Sequence, residues 1–239
     1  MEGSIPVIAG CTATGKTAAA LKLAAKYPGI EIISADSRQF YRGMDIGTAK
    51  PSREELELVP HHMIDIAEPL SLLSAGWFAS AAADRIDDIL NRGGIPLIVG
   101  GSALYLLHMA GLVDTLPGRN DDLRRALADL EDAAPGSLHR ILEAMDPQEA
   151  AWIGEKDRVR LVRSLEIAIQ SGDIPSRLKT GGEPDSRFRF AVLEQDNATL
   201  RRRISRRTHS MREAGLVREV RELLDRGVPE DPVLSATIG

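Results

Sequence analysis

The chain has 239 residues, a formal net charge of −5 and 43% apolar residues. That length supports one sizeable core, or a core with a smaller subdomain, and the acidic balance leaves any nucleic-acid contact to a local basic patch. The single cysteine, Cys11, excludes an internal disulfide and a thiolate metal cage, and no apolar run approaches the ~18 residues of a membrane span.

Aromatic residues, at 4%, argue against an extended base-stacking platform. The expectation from the lone cysteine and the lack of a long apolar run is a cytoplasmic protein with no membrane partner, taken as a monomer although the sequence does not determine oligomeric state. The first apolar run, "IPVIAG", reads as a buried strand. It leads into "GCTATGKT" and a helix from Lys16 to about Lys26. Gly10, Gly15, Lys16 and Thr17 fit the pattern G-x-x-x-x-G-K-[ST] of ATP-binding and other nucleotide-binding loops. In the strand–loop–helix context, the backbone N–H groups of Gly10, Cys11, Thr12, Ala13, Thr14, Gly15, Lys16 and Thr17 cradle phosphate oxygens at a helix N-terminus. Lys16 adds a point charge, and the Thr17 hydroxyl is the candidate ligand for Mg²⁺. The loop alone leaves open whether a phosphoryl group is transferred, hydrolysed or expelled.

"IEIIS" reads as a second strand ending at Asp36. An acid there faces the phosphate loop in an open α/β sheet, where it can bind metal or take a proton from an acceptor. The polar stretch that follows, "ISADSRQFYRGMDIGTAKPS", is far longer than an ordinary strand–helix connection and reads as functional. Within it, Asp45 and Lys50 read as shaping the loop. "MIDI" offers a short third strand, with Asp65 a weak metal candidate. His61 and His62 read as packing or capping residues, because adjacent strand positions face opposite sides. A helix over "SAGWFASAAADRIDDILNRGG" presents Phe78, Ala82, Ile86, Ile89 and Leu90 on one face. "IPLIVGG" is a further buried strand, ending in glycines rather than in the metal-holding acid of phosphoryl-transfer enzymes. Ser102 stands where a helix N-cap belongs.

Beyond residue 118 the pattern turns helical, with Leu123, Leu127 and Leu130 and then Leu161, Leu165 and Ile169 at helical spacing. "KTGGEPDS" is a loop, "FRFAVLE" a returning strand, and a long helix is predicted from about Asn197 to Arg226. Its basic run (Arg201, Arg202, Arg203, Arg206, Arg207) lies in a stretch without acids, which favours contact with a polyanion. Trp77 and Trp152 read as core or interface anchors. Strands alternating with helices predict a P-loop NTPase-like α/β fold: a parallel sheet flanked by helices. The expected divisions are an α/β core over residues 1–117, an all-helical insertion over 118–186 and a return to the core over 187–239.

"GCTATGKT", "DSRQFYRGMDIGTAKP", "PHHMIDI", "PLIVGGSALYL", "DRVRLVRSLEI" and "LRRRISRRTHSMREAGLVREVRELLDRG" together resemble the tRNA dimethylallyltransferase (tRNA isopentenyltransferase) family, in the family's order. The resemblance implies transfer of a dimethylallyl group from dimethylallyl diphosphate to N6 of the adenosine 3′ of a tRNA anticodon. Diphosphate is then expelled and no phosphoryl group moves. It further implies that Asp36 is the base, that Lys16 and Arg203 meet the diphosphate, and that Ser102 contacts the acceptor nucleotide. The same resemblance assigns tRNA contacts to Asp36, Ser37, Arg38, Gln39, Ser102, Arg124, Val159, Arg160, Leu161, Val162 and Arg163. Three positions depart from the family pattern: Cys11 replaces a proline and is expected as small filler, Ser102 a threonine and Val159 a glutamine. The family continues past "SATIG", so a shortened C-terminus is expected. The rival readings are an adenylate isopentenyltransferase, a small-molecule kinase using ATP, and a silent RNA-binding module.

Overall fold

The computed structural model describes residues 3–71 and 73–228. Two compact units are present: one covers Met1–Ala110 and resumes at Asp185, and the other is Gly111–Pro184. The insertion therefore starts at Gly111 and closes before Asp185, rather than spanning 118–186. Asp185 already donates its N–H to the Ala110 carbonyl at 2.9 Å, which marks the return to the first unit.

The first unit contains β1 (Ile5–Ala9), α1 (Lys16–Lys26), β2 (Ile30–Ala35), α2 (Arg53–Leu58), β3 (His61–His62), α3 (Ala75–Asn91), β4 (Ile95–Gly100) and α4 (Ala103–Met109). The second contains α5 (Asp121–Ala133), α6 (Ser137–Met145), α7 (Pro147–Ala150), α8 (Arg158–Ser171) and α9 (Pro175–Leu178). The chain then returns through β5 (Phe188–Val192), α10 (Asn197–Ala214) and α11 (Leu216–Asp225). The five strands form one sheet in the order β3-β2-β4-β1-β5, with every pairing parallel.

Apolar residues on both sides of the strands explain the continuous runs in the sequence. Val7, Ile33, Ala35 and Ile98 pack with Phe78, Ala82, Ile86 and Ile89 of α3 and with Leu106 of α4. Their strand neighbours Ile8, Ile32, Leu97 and Val99 join Ala20 of α1 in a second cluster. The order in which strands are added reverses between β1 and β4, since the connection from β1 runs towards β2 on one side and that from β4 runs towards β5 on the other. The crevice beyond the carboxyl ends of these two strands is where ligands bind in such sheets.

Three local expectations are corrected. Residues 63–66 are not a strand, because Met63 and Asp65 adopt φ of 63° and 54°, outside any extended conformation. The third strand is His61–His62, paired with Ile32 and Ile33. The predicted long helix is two helices, since Gly215 at φ 107° is both the C-cap of α10 and the N-cap of α11. Trp152 is 83% exposed and so is no core residue, whereas Trp77 meets Phe40 edge-on at 6.2 Å.

Leu127, Leu138, Leu142, Leu161 and Leu165 form the core of the second unit. Leu130 and Ile169, which share their helical spacing, remain exposed.

The glycines ending β4 have a steric cause. A Cβ on Gly100 would lie 2.1 Å from the Ala35 carbonyl oxygen, and one on Gly101 would lie 3.0 Å from the Gly10 carbonyl oxygen. Overpacking at a rigid backbone contact costs about 1–3 kcal/mol. Gly100→Ala is accordingly expected to lower the thermal midpoint by several degrees, about 2–4 °C per kcal/mol for a chain of this size. Calorimetry of the two proteins checks this.

Candidate active site

Local sequence builds each wall of the site. Gly15 takes φ 100° at the N-cap of α1, a left-handed conformation that a side chain would strain, and Lys16 then begins the helix. Thr14 is buried and donates its hydroxyl to the Cys11 carbonyl at 2.9 Å, closing the loop on itself. The Lys16 ammonium donates to the Gly10 and Cys11 carbonyls, each at 2.8 Å. Cys11 is exposed, so its side chain is not the filler expected of it.

Asp36 follows β2 and opens a turn: one carboxylate oxygen accepts the Arg38 N–H at 3.0 Å, leaving the other oxygen available. Gln39 spans the long loop. Its amide oxygen accepts the Ser34 hydroxyl at 3.0 Å, and its amide nitrogen donates to the Thr48 and Ala49 carbonyls at 3.4 and 3.2 Å. Phe40 anchors the loop in the core, stacked on Phe78 at 5.7 Å and on Tyr105 at 5.9 Å. The side chain of Lys50, only 5% exposed, donates to the Tyr41 carbonyl and to Asp45 at 2.6 Å, and also pairs with Asp65. Asp45, Lys50 and Asp65 thus shape the loop, and neither acid lines the cavity described next.

These walls enclose a cavity of about 680 Å³. Thr12, Ala13, Gly15, Lys16 and Thr17 line one side; Asp36, Ser37, Arg38, Gln39 and Ser102 line another; Arg203, Arg206 and Arg207 of α10 complete it. Gly10, Cys11 and Thr14 build the turn without lining the cavity. Ser102 holds the N-cap position of α4 but makes no capping bond. Its hydroxyl instead accepts the Ser37 N–H at 3.0 Å and lies 3.2 Å from the Ser37 hydroxyl. Ala13 and Ala49, both on the cavity wall, carry φ of 62° and 47°. Such strain in non-glycine residues persists only where the surroundings impose it.

Arg203 donates to the Ala13 and Thr14 carbonyls, each at 3.3 Å, and Arg207 donates to the Thr12 hydroxyl at 3.1 Å. Burial pulls the Lys16 ammonium below its ordinary pKa, opposed by the charge of Asp36. Burial also lowers the Arg207 guanidinium, again opposed by Asp36. Cations crowded in a partly desolvated cavity need anionic partners. Arg207 was visible in the sequence only as part of a basic run. The signal that singles it out is its spacing from Arg203, one helical turn away on the same face. His61 also lines the cavity, with Nδ1 2.8 Å from the Val59 carbonyl, while His62 turns to Glu31 at 2.7 Å.

The remaining candidates belong to the second unit and are described within it. Leu161 and Val162 are buried in its core. Val159 is 79% exposed. Arg160 is exposed and pairs with Asp157 at 3.0 Å. Arg163 instead donates to Glu166 at 2.6 Å and to the Pro117 carbonyl at 2.8 Å, so the two arginines do not play one role. Arg124 meets the same carboxylate through two bonds of 2.8 Å, and the Asn120 N–H adds another at 2.7 Å. Glu166 is 0% exposed and was not singled out in the sequence. An acid three residues after an arginine on an apolar helix face was the available sign.

Fold and site define a P-loop-type α/β protein in which the phosphate loop, the turn at Asp36 and the arginines of α10 line one cavity. A family profile described as IPP transferase matches residues 39–239. A tRNA dimethylallyltransferase of Kosmotoga olearia is 41% identical over 236 residues, covering 98% of this chain and 76% of that protein. The solved tRNA isopentenylpyrophosphate transferase of Bacillus halodurans is 35% identical, with a TM-score of 0.65 over 98% of this chain and 74% of that one. A eukaryotic dimethylallyltransferase acting on tRNA is 28% identical, with a TM-score of 0.77 over 94% of this chain and 56% of that one. The chain belongs to the tRNA dimethylallyltransferase family.

Two expectations follow. Losing one charge-assisted contact costs about 1.5–3 kcal/mol, so Arg207→Ala is expected to weaken inorganic pyrophosphate binding by about tenfold to a hundredfold, as read by titration calorimetry. For Glu166, burial raises the carboxyl pKa, but hydrogen bonds from Arg124, Asn120 and Arg163 outweigh it and hold the value at about 2, below the ordinary 4.5. A depressed folded-state value means that the stabilisation is complete above the unfolded value and is lost as pH falls from there towards about 2. Glu166→Gln should therefore flatten the acid limb of the stability curve below about pH 4.5, measured by thermal unfolding across a pH series.

Proposed function

We propose that this chain transfers the dimethylallyl group of dimethylallyl diphosphate to N6 of the adenosine 3′ of a tRNA anticodon, with Asp36 as the base. Family membership carries the class of reaction. The observation that supports the assignment of roles is one cavity that gathers a phosphate loop, the three arginines of α10 and a partly free carboxylate.

The adenine N6 lone pair is delocalised into the ring, so the amine is a weak nucleophile. As N6 bonds to the allylic carbon, the carbon–oxygen bond to diphosphate breaks and its electron pair leaves with the diphosphate. N6 must then shed a proton, and the free oxygen of Asp36 receives it. Charge growing on the departing diphosphate meets the loop N–H groups, Lys16, Arg203 and Arg207. Ser37 and Ser102, joined through their hydroxyls, shape the acceptor side. A base inside an anticodon loop reaches such a pocket only when extruded from its stack, with polar groups reading its edge.

Mg²⁺ suits this arrangement. Thr17 lines the cavity at the start of α1, and the described residues hold no group of three or more His, Cys, Asp or Glu able to bind a metal. An ion that keeps waters and substrate phosphate oxygens needs only one or two protein ligands; Thr17 would hold it. When bound, it would offset diphosphate charge.

No helix among the described residues is long and apolar enough to cross a membrane.

Asp36→Asn keeps size and one hydrogen-bond acceptor while removing the base. Single-turnover transfer is expected to fall by about a hundredfold to ten-thousandfold, with tRNA binding changed far less. Measured across a Mg²⁺ series, a rate restored by metal, or one within a few-fold of the parent, would remove Asp36 from this role.

A further inference from the structure

Glu219, on α11, makes contacts that the chemistry above does not use. One carboxylate oxygen accepts the backbone N–H groups of Asp45 and Ile46 at 2.8 and 2.7 Å, and the other accepts the Gly47 N–H at 2.9 Å. Three consecutive amides converging on one carboxylate make a charge-assisted clasp. One helical turn further on, Leu223 is buried in a cluster with Tyr41 and Met44 of the same loop. α11 therefore grips the loop through one polar and one apolar contact.

The loop passes this grip to the site. Immediately after the clasped amides, the Thr48 and Ala49 carbonyls accept the Gln39 side chain, and the Gln39 N–H donates to the Asp36 carbonyl at 3.2 Å. In the other direction, α11 joins α10 through Gly215 alone, and α10 carries Arg203 and Arg207. One side chain thus couples the wall bearing Asp36 to the wall bearing the arginines.

We infer that Glu219 is a positioning residue, setting the distance between the proton acceptor and the diphosphate-binding cations. This rests on the roles proposed above for Asp36, Arg203 and Arg207. Glutamine at 219 would keep the size but would turn an amide NH₂ towards at least one backbone N–H, opening the clasp.

The experiment compares the parent with Glu219→Gln and with Glu222→Gln. Glu222 lies on the same helix and pairs only loosely with Arg218, at 3.7 Å. Three readouts are taken: amide hydrogen exchange over residues 45–47, single-turnover transfer at saturating tRNA and dimethylallyl diphosphate, and inorganic pyrophosphate affinity. In Glu219→Gln those amides should exchange at least about tenfold faster, and the transfer rate should fall about tenfold or more through misalignment of reacting groups. Inorganic pyrophosphate affinity should stay within about threefold, because the phosphate loop is untouched. Glu222→Gln should match the parent throughout. Unchanged exchange at 45–47, a transfer rate within about twofold of the parent, or an equal loss in both variants would overturn the inference. A parent protein that transfers nothing would instead count against the Asp36 reading, and amide exchange alone would then decide whether Glu219 holds the loop. Should Glu219→Gln fail to fold, Glu219→Asp, which retracts the charge by one methylene, is read in the same way.

Discussion

The site depends on how closely three strand ends approach one another. Gly100 lies so near Ala35 that no side chain fits between them, and a Cβ on Gly101 would press on the Gly10 carbonyl oxygen. This contact brings the phosphate loop after β1, the turn at Asp36 after β2 and the start of α4 after β4 to one point of the sheet. Ser102 shows the consequence. Its hydroxyl leaves the helix it should cap and bonds to the residue after Asp36. The glycines that end β4 also remove the position where a phosphoryl-transfer enzyme would carry its metal-binding acid. Packing and chemistry therefore agree: a leaving diphosphate needs cations and N–H donors more than it needs a second acid.

Electrostatics then determine what the crevice can hold. Lys16 and Arg207 are partly desolvated, and Asp36 is the charge that opposes this in both cases. A bound diphosphate would relieve the strain that burial places on the cations. The same acid can thus balance the cations before reaction and accept a proton during it. Arginine suits this wall better than lysine, because its planar fork can hold backbone carbonyls and still present N–H groups to an anion.

In the helical unit, charge serves architecture. Glu166 collects Arg124, Arg163 and the Asn120 N–H inside the protein. Removing its arginines would leave a buried charge without a counter-ion, which costs far more than breaking a surface pair. Arg160, with its side chain in solvent and a single neighbouring acid, is free of that constraint. Arginines three residues apart on one helix therefore differ in purpose.

Much of this was legible in the chain itself. The run "IPVIAG" before "GCTATGKT", the buried "IEIIS" and "IPLIVGG", and the helical spacing after residue 118 each express short-range rules of burial, turn geometry and periodicity. They determined the phosphate loop, the parallel sheet and the helical insertion, and motif order pointed to the family. Other features arise from contacts between residues far apart in sequence, which local pattern cannot encode. Glu219 meets amides at 45–47, Arg207 meets Thr12, and Ser102 meets Ser37, all through folding in three dimensions. Spacing alone does not separate the two arginines of "DRVRLVRSLEI": Arg163 is held by Glu166, whereas Arg160 pairs with Asp157. Sequence determined which groups were available, and tertiary packing decided which of them face the ligand, because burial and partnering are properties of neighbours in space.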